Sequence, residues 1–318
     1  MPAPRTNVGG SFGLVLDGVE NGLLKSVDGG VAVADVIAEA VGTLYYPKKH
    51  VGPISYSPFV LEFGLAMANS LYDWIGASWR GKAIAKSGAI VLADQDFVAA
   101  SQREFTNALI TETTFPAFDA TSKDPAYLTV TLSPESARVV KGSGKISPSK
   151  AQKLWLPSNF RLAIDGLDCT RVTKVDGFTV KQAVVTDNIG AGRIRLRQAG
   201  RLEFPNLKIT LAEASATSWF EWFGAFVLKG DNDDSKEKNG SISLLAANLT
   251  DELMRIDLFN LGIFRIGQDR AEANSERVAT VSAHLYCERM ELVLGTPVKP
   301  AVRSARAARR RVPARKAR

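Results

Sequence analysis

Few side chains in this sequence are suited to nucleophilic or general-base chemistry at neutral pH. The chain has two histidines, His50 and His284, and two cysteines, Cys169 and Cys287. A catalytic triad needs a nucleophile beside a base, and zinc sites use thiol or histidine pairs at ligand spacing. His50 falls at a predicted hairpin tip and His284 in a predicted strand. We therefore predict that both histidines are structural, that the chain is not an enzyme, and that it has no metal or cofactor.

An acidic segment and two glycine pairs complete the set of candidate ligand sites. Asp231–Ser235 resembles the start of a calcium loop, but Lys236 stands where the loop needs glycine and Ile242 where it needs glutamate. The glycines at 142 and 144 and at 190 and 192 lack the strand-to-helix setting of a phosphate loop. We interpret these segments as a solvated turn, a linker and a second turn.

The C-terminal residues 296–318 contain nine basic residues and no acidic one. The whole chain has a net charge of +7, so residues 1–295 carry about −2 and any nucleic-acid argument concerns the tail alone. Such a Pro-, Ala- and Arg-rich run is expected to be disordered when free. It could bind an acidic surface such as a sheath, a baseplate partner, cargo or DNA, or serve only as a solubilising extension. The candidate contact residues are Arg303, Arg306, Arg309, Arg310, Arg311 and Arg315.

The overall composition is that of a globular protein with two domains. The chain has 318 residues, of which 45% are hydrophobic and 23% charged. This length suits two domains of about 150 residues each. No apolar run approaches the length of a membrane span, and the first residues show no secretory signal. Two cysteines do not form a disulfide framework, so we expect synthesis in a reducing cytoplasm.

The sequence repeats itself in its first strands and turns. Residues 11–19 (SFGLVLDGV) align at a shift of 148 with residues 159–167 (NFRLAIDGL). Each segment is an alternating apolar run closed by Asp-Gly, which is a strong signal for a hairpin turn. The same shift aligns the Val-Asp-Gly of residues 27–29 with that of residues 175–177.

The repetition continues through a helix and the later strands. Trp74 aligns with Trp222, and in both segments apolar residues recur at helical spacing, which predicts one amphipathic helix per copy with its tryptophans in the core. Ser218 and Glu221 have the spacing of a capping box. At shifts of 152 and 153, GAIVL (88–92) meets GSISL (240–244), FTN (105–107) meets LFN (258–260), and LSPE (132–135) meets LYCE (285–288).

Because these matches keep their order along the whole chain, we predict a tandem duplication of one mainly β domain. Each copy is expected to be a β-barrel or sandwich with one helix. The predicted organisation is a first domain over residues 1–140, a linker over 141–156, a second domain over 157–295, and a basic tail over 296–318. Trp155 is placed at the domain junction, where we expect it to dock the linker.

The ordered motifs resemble the tail-tube proteins of contractile phages and extracellular contractile injection systems. They are more distantly similar to the hemolysin-coregulated protein of type VI secretion. The resemblance covers roughly residues 8–140 and 157–295. The motifs that carry it are the opening Phe strand ending in Asp-Gly, the following Val-Asp-Gly, the Leu-x-x-Trp helix, the Gly-x-Ile-x-Leu strand, the Phe-x-Asn segment and the closing Leu-x-x-Glu strand.

The resemblance implies barrels assembled into six-fold rings. In those rings a long hairpin from each domain contributes to a continuous β-barrel around a lumen, and here the hairpins would be residues 28–61 and 176–209. A tail-tube protein usually has one domain. Two domains per chain imply that three chains form a homo-oligomeric, pseudo-six-fold ring.

The function predicted from the sequence is therefore that of a structural subunit of the inner tube, or of a tube-to-hub adaptor ring, in a phage tail or phage-like injection particle. Its expected partners are sheath, baseplate or hub proteins, with DNA or effector cargo in the lumen, and no membrane. The alternative is a nucleic-acid-binding protein that acts through its Arg-rich tail. The nearly neutral body argues against that alternative, because a binding face usually has basic residues on the folded part as well.

Overall fold

The first copy is built almost entirely of strands. The computed structural model describes residues 10–147, 155–187, 196–269 and 278–295. One helix, α1, interrupts the strands of the first copy. Its elements are β1 (Ser11–Leu16), β2 (Val19–Leu24), β3 (Ser26–Asp28), β4 (Ala32–Glu39), β5 (Lys48–Tyr56), β6 (Phe59–Phe63), α1 (Asn69–Trp79), β7 (Lys86–Ala93), β8 (Ala99–Phe115), β9 (Phe118–Asp119), β10 (Leu128–Ser133) and β11 (Ser136–Lys141).

The second copy follows the same plan. Its helix α2 continues into a π-helical turn, Gly224–Leu228, and short 3₁₀ turns occur at Glu213–Ser215 and Asp234–Lys236. Its elements are β12 (Phe160–Ile164), β13 (Val172–Val175), β14 (Phe178–Asp187), β15 (Leu196–Glu203), β16 (Leu207–Ala212), α2 (Thr217–Phe223), β17 (Lys238–Leu245), β18 (Glu252–Gln268) and β19 (Thr280–Leu294).

The strand order confirms the duplication. In the first copy the strands are ordered β1-β7-β8-β10-β6-β3, and in the second β12-β17-β18-β19-β16-β13. These two orders are the same once each strand is replaced by its repeat equivalent, with β19 taking the place of both β10 and β11. The mainly β architecture with one helical segment per copy is thus confirmed. No helix in the described part of the chain is long and apolar enough to cross a membrane.

A bulge recurs at the same place in both copies. The paired asparagines Asn107 and Asn260 have φ angles of 48° and 54°, and each interrupts the register of its 17-residue strand. Their side-chain amides donate to Glu135 (2.7 Å) and Glu237 (2.8 Å) respectively. Asparagine tolerates the left-handed region better than most residues, so the Phe-x-Asn pattern seen in the sequence marks a bend in the long strands.

We expect Asn260→Val to lower the free energy of unfolding more than Asn260→Gly does, by about 1–2 kcal/mol, because a β-branched residue is strained at positive φ. Both variants lose the hydrogen bond to Glu237, so the difference between them reports the backbone alone. Urea denaturation of the two variants measures it. Equal losses would show that Asn260 is kept only for its side chain.

The two Asp-Gly turns have different outcomes. Asp17 and Gly18 have φ angles of 50° and 81° and close the β1–β2 hairpin, as predicted. At Asp165 and Gly166 the chain turns, with Gly166 at φ 71°. Among the described residues, however, no strand follows to pair with β12, so the outer edge that β2 covers in the first copy is not covered in the second.

The predicted capping box is wrong, although the helices themselves are confirmed. The residue that precedes α2 is Ala216, which offers no side-chain cap. Ser218 lies inside the helix, and its Oγ accepts a hydrogen bond from the Asp168 backbone (3.0 Å). Likewise Ser70 lies within α1 and donates to Asn21 Oδ1 (2.5 Å). The two serines therefore tie α1 to β2 and α2 to the loop that follows β12.

The tryptophans lie in the core, as their helical spacing predicted. Trp219 is fully buried, and the other three helix tryptophans are at most 8% exposed. Trp155 is also buried and forms a bridge with Ala126. Ile146, near the other end of the predicted linker, is buried as well, so the described ends of that segment pack on the domains. The domain boundaries themselves stay a prediction.

Candidate assembly interface

The two copies are joined by strand pairing, which the sequence did not reveal. The end of β8 in the first copy pairs antiparallel with the start of β14 in the second, from Phe115 opposite Phe178 to Glu112 opposite Lys181. Next to this junction β9 pairs with β13. A sheet therefore runs from one copy into the other, and main-chain hydrogen bonds fix their relative position.

An aromatic cluster lies beneath this pairing. Phe118 is fully buried, and its ring is 5.8–6.4 Å from the rings of Phe115, Phe178, Trp155 and Phe160. The Phe115 and Phe178 rings stack at 5.4 Å. Because the cluster takes rings from both copies, its burial stabilises the junction itself.

The helix of the first copy also contacts the second copy. Trp79, at the end of α1, contacts Phe115 and reaches Phe204, with ring centroids 6.5 Å apart. Gly76 lies against the backbone of β19, where an added Cβ would be 3.7 Å from the Leu292 carbonyl oxygen. That distance is an ordinary van der Waals contact, so α1 and β19 lie close together at this residue.

Polar contacts complete the junction at its rim. Thr114 and Thr179 form a hydrogen bond across the paired strands (2.9 Å), and Lys181 is 3.9 Å from Glu112. The backbone N–H of Arg197 donates to Glu135 (3.1 Å). The Arg197 guanidinium donates to the carbonyl of Tyr56 (3.0 Å), and burial lowers its pKa. These contacts hold the second hairpin beside the first copy.

A carboxylate at the junction is held by local hydrogen bonds. Asp119, in β9, accepts hydrogen bonds from the backbone and the hydroxyl of Thr121 (2.8 and 2.6 Å). These bonds lower the pKa of the Asp119 carboxyl, and nearby Lys174 lowers it further. The pKa of Lys174 is raised by its hydrogen bond to Asp176. Asp119 and Lys174 are therefore both charged at neutral pH.

Both predicted long hairpins are present, and they match residue by residue. β4 pairs with β5 as β14 pairs with β15: Val33 faces Ser55, and Lys181 faces Glu203. A register shift also falls at the same repeat position in each hairpin. The first hairpin exposes a large apolar surface. Its exposed apolar residues are Val31, Val33, Val36, Ile37, Val41, Leu44, Tyr45, Tyr46 and Val51.

The histidines do not form a catalytic site. His50 lies in β5 rather than at the hairpin tip, because β5 begins at Lys48, and its ring is 3.9 Å from exposed Glu39. His284 lies in β19, as predicted. Its pKa is lowered by burial and by Arg265 and Lys208, so this imidazole is neutral at physiological pH.

The two cysteines are protonated thiols, and the acidic turn is closed by local contacts. Burial raises the pKa of Cys169 and of Cys287 to about 11, so both are protonated thiols at neutral pH. Asp233 accepts a hydrogen bond from the Ser235 backbone (2.9 Å), and Asp231 is 3.6 Å from Lys236. In the described residues no group of three or more metal-ligating side chains is present.

The candidate arginines of the tail, Arg303, Arg306, Arg309, Arg310, Arg311 and Arg315, lie outside the described residues. So does the turn at residues 190–192. The contact role of these arginines stays a prediction. The site that the geometry does define is the strand-paired junction between the two copies.

The T4-like virus tail tube protein gp19 family matches the chain twice, over residues 11–138 and 156–291. This chain belongs to that family. The double match agrees with the repeated strand order, and it confirms that this tail-tube protein is a tandem duplication. No match is found among curated proteins.

Several solved structures are similar to one copy of this tail-tube protein. The tube-terminating cap of the anti-feeding prophage is 23% identical with a TM-score of 0.40, over 44% of this chain and 95% of that chain. A chain of the PVC sheath–tube complex is 19% identical with a TM-score of 0.36, over 42% and 88%. Hcp1 from Flavobacterium johnsoniae is 14% identical with a TM-score of 0.26, over 43% and 95%. Each matched chain thus has about the length of one copy.

The junction between the copies left only a weak signal in the sequence. The resemblance to tail-tube proteins implied that the hairpins contribute to a barrel shared between subunits. It did not reveal that β14 pairs with β8 of its own chain. The available signal was the repeat alignment. It aligns Phe178, at the start of the second hairpin, with Gly30 of the first copy. An extra phenylalanine at the base of one hairpin points to a buried contact there.

Proposed function

We propose that this tail-tube protein is a structural ring subunit of a contractile phage tail or phage-like injection particle. Three chains close into a ring of six β-domains around a lumen, which gives three-fold symmetry and pseudo-six-fold shape. The observation that supports this most directly is the β8–β14 pairing, because it sets two equivalent domains side by side with their hairpins in equivalent positions.

The physical drive for ring closure is the pairing of open strand edges. A sheet edge presents unsatisfied N–H and C=O groups, and these are stabilised when a neighbouring strand pairs with them. In this chain one such edge is filled by the second copy. Neighbouring chains would fill the equivalent edges at either end, and the exposed apolar surface of the first hairpin would be buried among the hairpins that line the lumen.

The ring belongs either to the inner tube or to an adaptor between a six-fold tube and a three-fold hub. One observation favours a three-fold surface: β2 covers the outer edge of β1, whereas no described strand covers the outer edge of β12. A cavity of about 570 Å³ runs beside β12, lined partly by Phe160, Leu162 and Ile164. A ring of three chains would carry three such grooves, at which sheath, baseplate or hub proteins would find a three-fold pattern.

Electron microscopy of the purified protein tests the proposal. We expect rings that contain three chains and show six similar densities around a central hole. Mass photometry of the same sample is expected to give three times the 34.3 kDa chain mass for a single ring. Rings of six chains, or a protein that stays monomeric at high concentration, would overturn it. Stacked rings would assign the protein to the tube, and single rings bound to a three-fold hub to the adaptor.

A further inference from the structure

Each strand of the junction inside the chain has an equivalent in the other copy, and among the described residues the corresponding edges of these equivalents have no strand partner. At the repeat shift of 153, Arg265–Gln268 in β18 are the equivalents of Glu112–Phe115 in β8. At the shift of 148, residues 30–33 are the equivalents of residues 178–181. In the described residues β18 pairs at Arg265–Gln268 only with β19, on its inner side, and β4 pairs only with β5. One open edge thus belongs to each copy.

The helix contact shows the same contrast. Leu292 is 8% exposed where α1 packs on β19, but its equivalent in the first copy, Val139 in β11, is 73% exposed. Gly76 lies against the Leu292 backbone, whereas a Cβ added to its equivalent, Gly224, would meet no described atom within 4 Å. In the described part of the chain, the equivalents of the apolar strand and the glycine face that meet inside the chain are therefore both left open, at Val139 of the first copy and at Gly224 of the second.

From these equivalences we infer that the junction between chains repeats the junction within the chain. This inference rests on the proposed ring, and it specifies how the chains meet. The outer edge of β18 pairs antiparallel with the start of β4 of a second copy, with Ile266 opposite Ala32 and Arg265 opposite Val33. The glycine face of α2 packs on Val139 of that copy.

The junction between chains is weaker than the one within the chain. The stacked pair Phe115 and Phe178 is replaced by Gln268 and Gly30, so the aromatic stacking is lost together with the apolar area of two rings. Dilution is therefore expected to separate chains from one another while the two copies of each chain stay joined.

A paired cysteine experiment tests the register. The double variant Val33→Cys/Arg265→Cys places thiols opposite each other on two chains. The matched variant Glu112→Cys/Lys181→Cys places them at the equivalent positions within one chain, where the native side chains are 3.9 Å apart. The native thiols Cys169 and Cys287 stay protonated at neutral pH, which limits background oxidation.

After mild oxidation of concentrated protein, we expect dimers and trimers from Val33→Cys/Arg265→Cys on a non-reducing gel. The matched variant is expected to form a disulfide without gain of mass. A displaced pair, Val33→Cys/Phe264→Cys, is expected to form at least tenfold fewer dimers, because Phe264 lies one residue out of register. Each single variant serves as a further control.

The outcomes separate the interface from the ring. No dimers from Val33→Cys/Arg265→Cys while the matched variant is oxidised would overturn the inferred interface, and so would equal cross-linking of the displaced pair. A cross-linked series that stops at three chains supports both the interface and the ring. A series that continues beyond three chains supports the interface and overturns ring closure, since the chains would then form an open helical array.

Discussion

Val139→Glu is expected to abolish self-association while leaving the single chain folded. Val139 is 73% exposed in the isolated chain, so a charge there costs the folded monomer little. In the inferred junction the same side chain is covered by α2 of a neighbouring copy, where an unpaired carboxylate would be desolvated at a cost of several kcal/mol. Each 1.4 kcal/mol is a tenfold change, so association should weaken at least a hundredfold. Sedimentation velocity measures this shift.

The matched control is Val19→Glu, which makes the same change at an apolar residue of β2 that is 57% exposed and lies outside the inferred junction. It is expected to assemble like the unmodified protein. Circular dichroism and the unfolding midpoint of both variants at low concentration show whether the monomer is intact. If Val139→Glu assembles as Val19→Glu does, β11 is not part of the contact between chains.

Phe118→Ala is expected to cause the largest loss of stability, about 3–5 kcal/mol, because it leaves a cavity among three other buried rings and the partly buried ring of Phe160. Since those rings come from both copies, the variant should also uncouple the copies. We expect one cooperative unfolding transition to separate into two, which denaturant titration followed by tryptophan fluorescence and by circular dichroism would resolve.

The comparison variant is Phe264→Ala, which removes a phenylalanine that is 45% exposed and is expected to change stability by less than about 0.5 kcal/mol in dilute protein. A Phe118→Ala variant that loses stability but still unfolds in one transition would show that strand pairing, rather than the aromatic cluster, couples the copies.

The elements that the sequence predicted well are those defined by local patterns. Asp17 and Gly18 adopt left-handed backbone at two successive residues, as a tight two-residue hairpin turn requires. The helical spacing of the apolar residues around Trp74 and Trp222 leaves one buried face. The repeat then made the weak motifs specific, because a series of motifs that recurs in the same order in two copies rarely arises by chance.

The elements that were wrong depend on groups distant in the sequence. Ser218 and Glu221 have the spacing of a capping box, but α2 begins one residue before Ser218. The Ser218 hydroxyl instead accepts a hydrogen bond from the Asp168 backbone N–H. Asp165-Gly166 turns the chain without forming a hairpin, since no strand follows it to pair with β12 among the described residues. His50 belongs to β5 because the pairing of β5 with β4 continues through Lys49 and Lys48, where the sequence predicted the hairpin tip.

The sequence by itself determined that one mainly β domain occurs twice and where its turns and helices fall. Only the tertiary structure decided which strand edges are filled and which are left open. The physical reason is that a strand edge consists of main-chain N–H and C=O groups, which are the same for every residue except proline. The pattern of side chains indicates which face of a strand is buried. The strand that pairs at its edge depends on where the other copy lies.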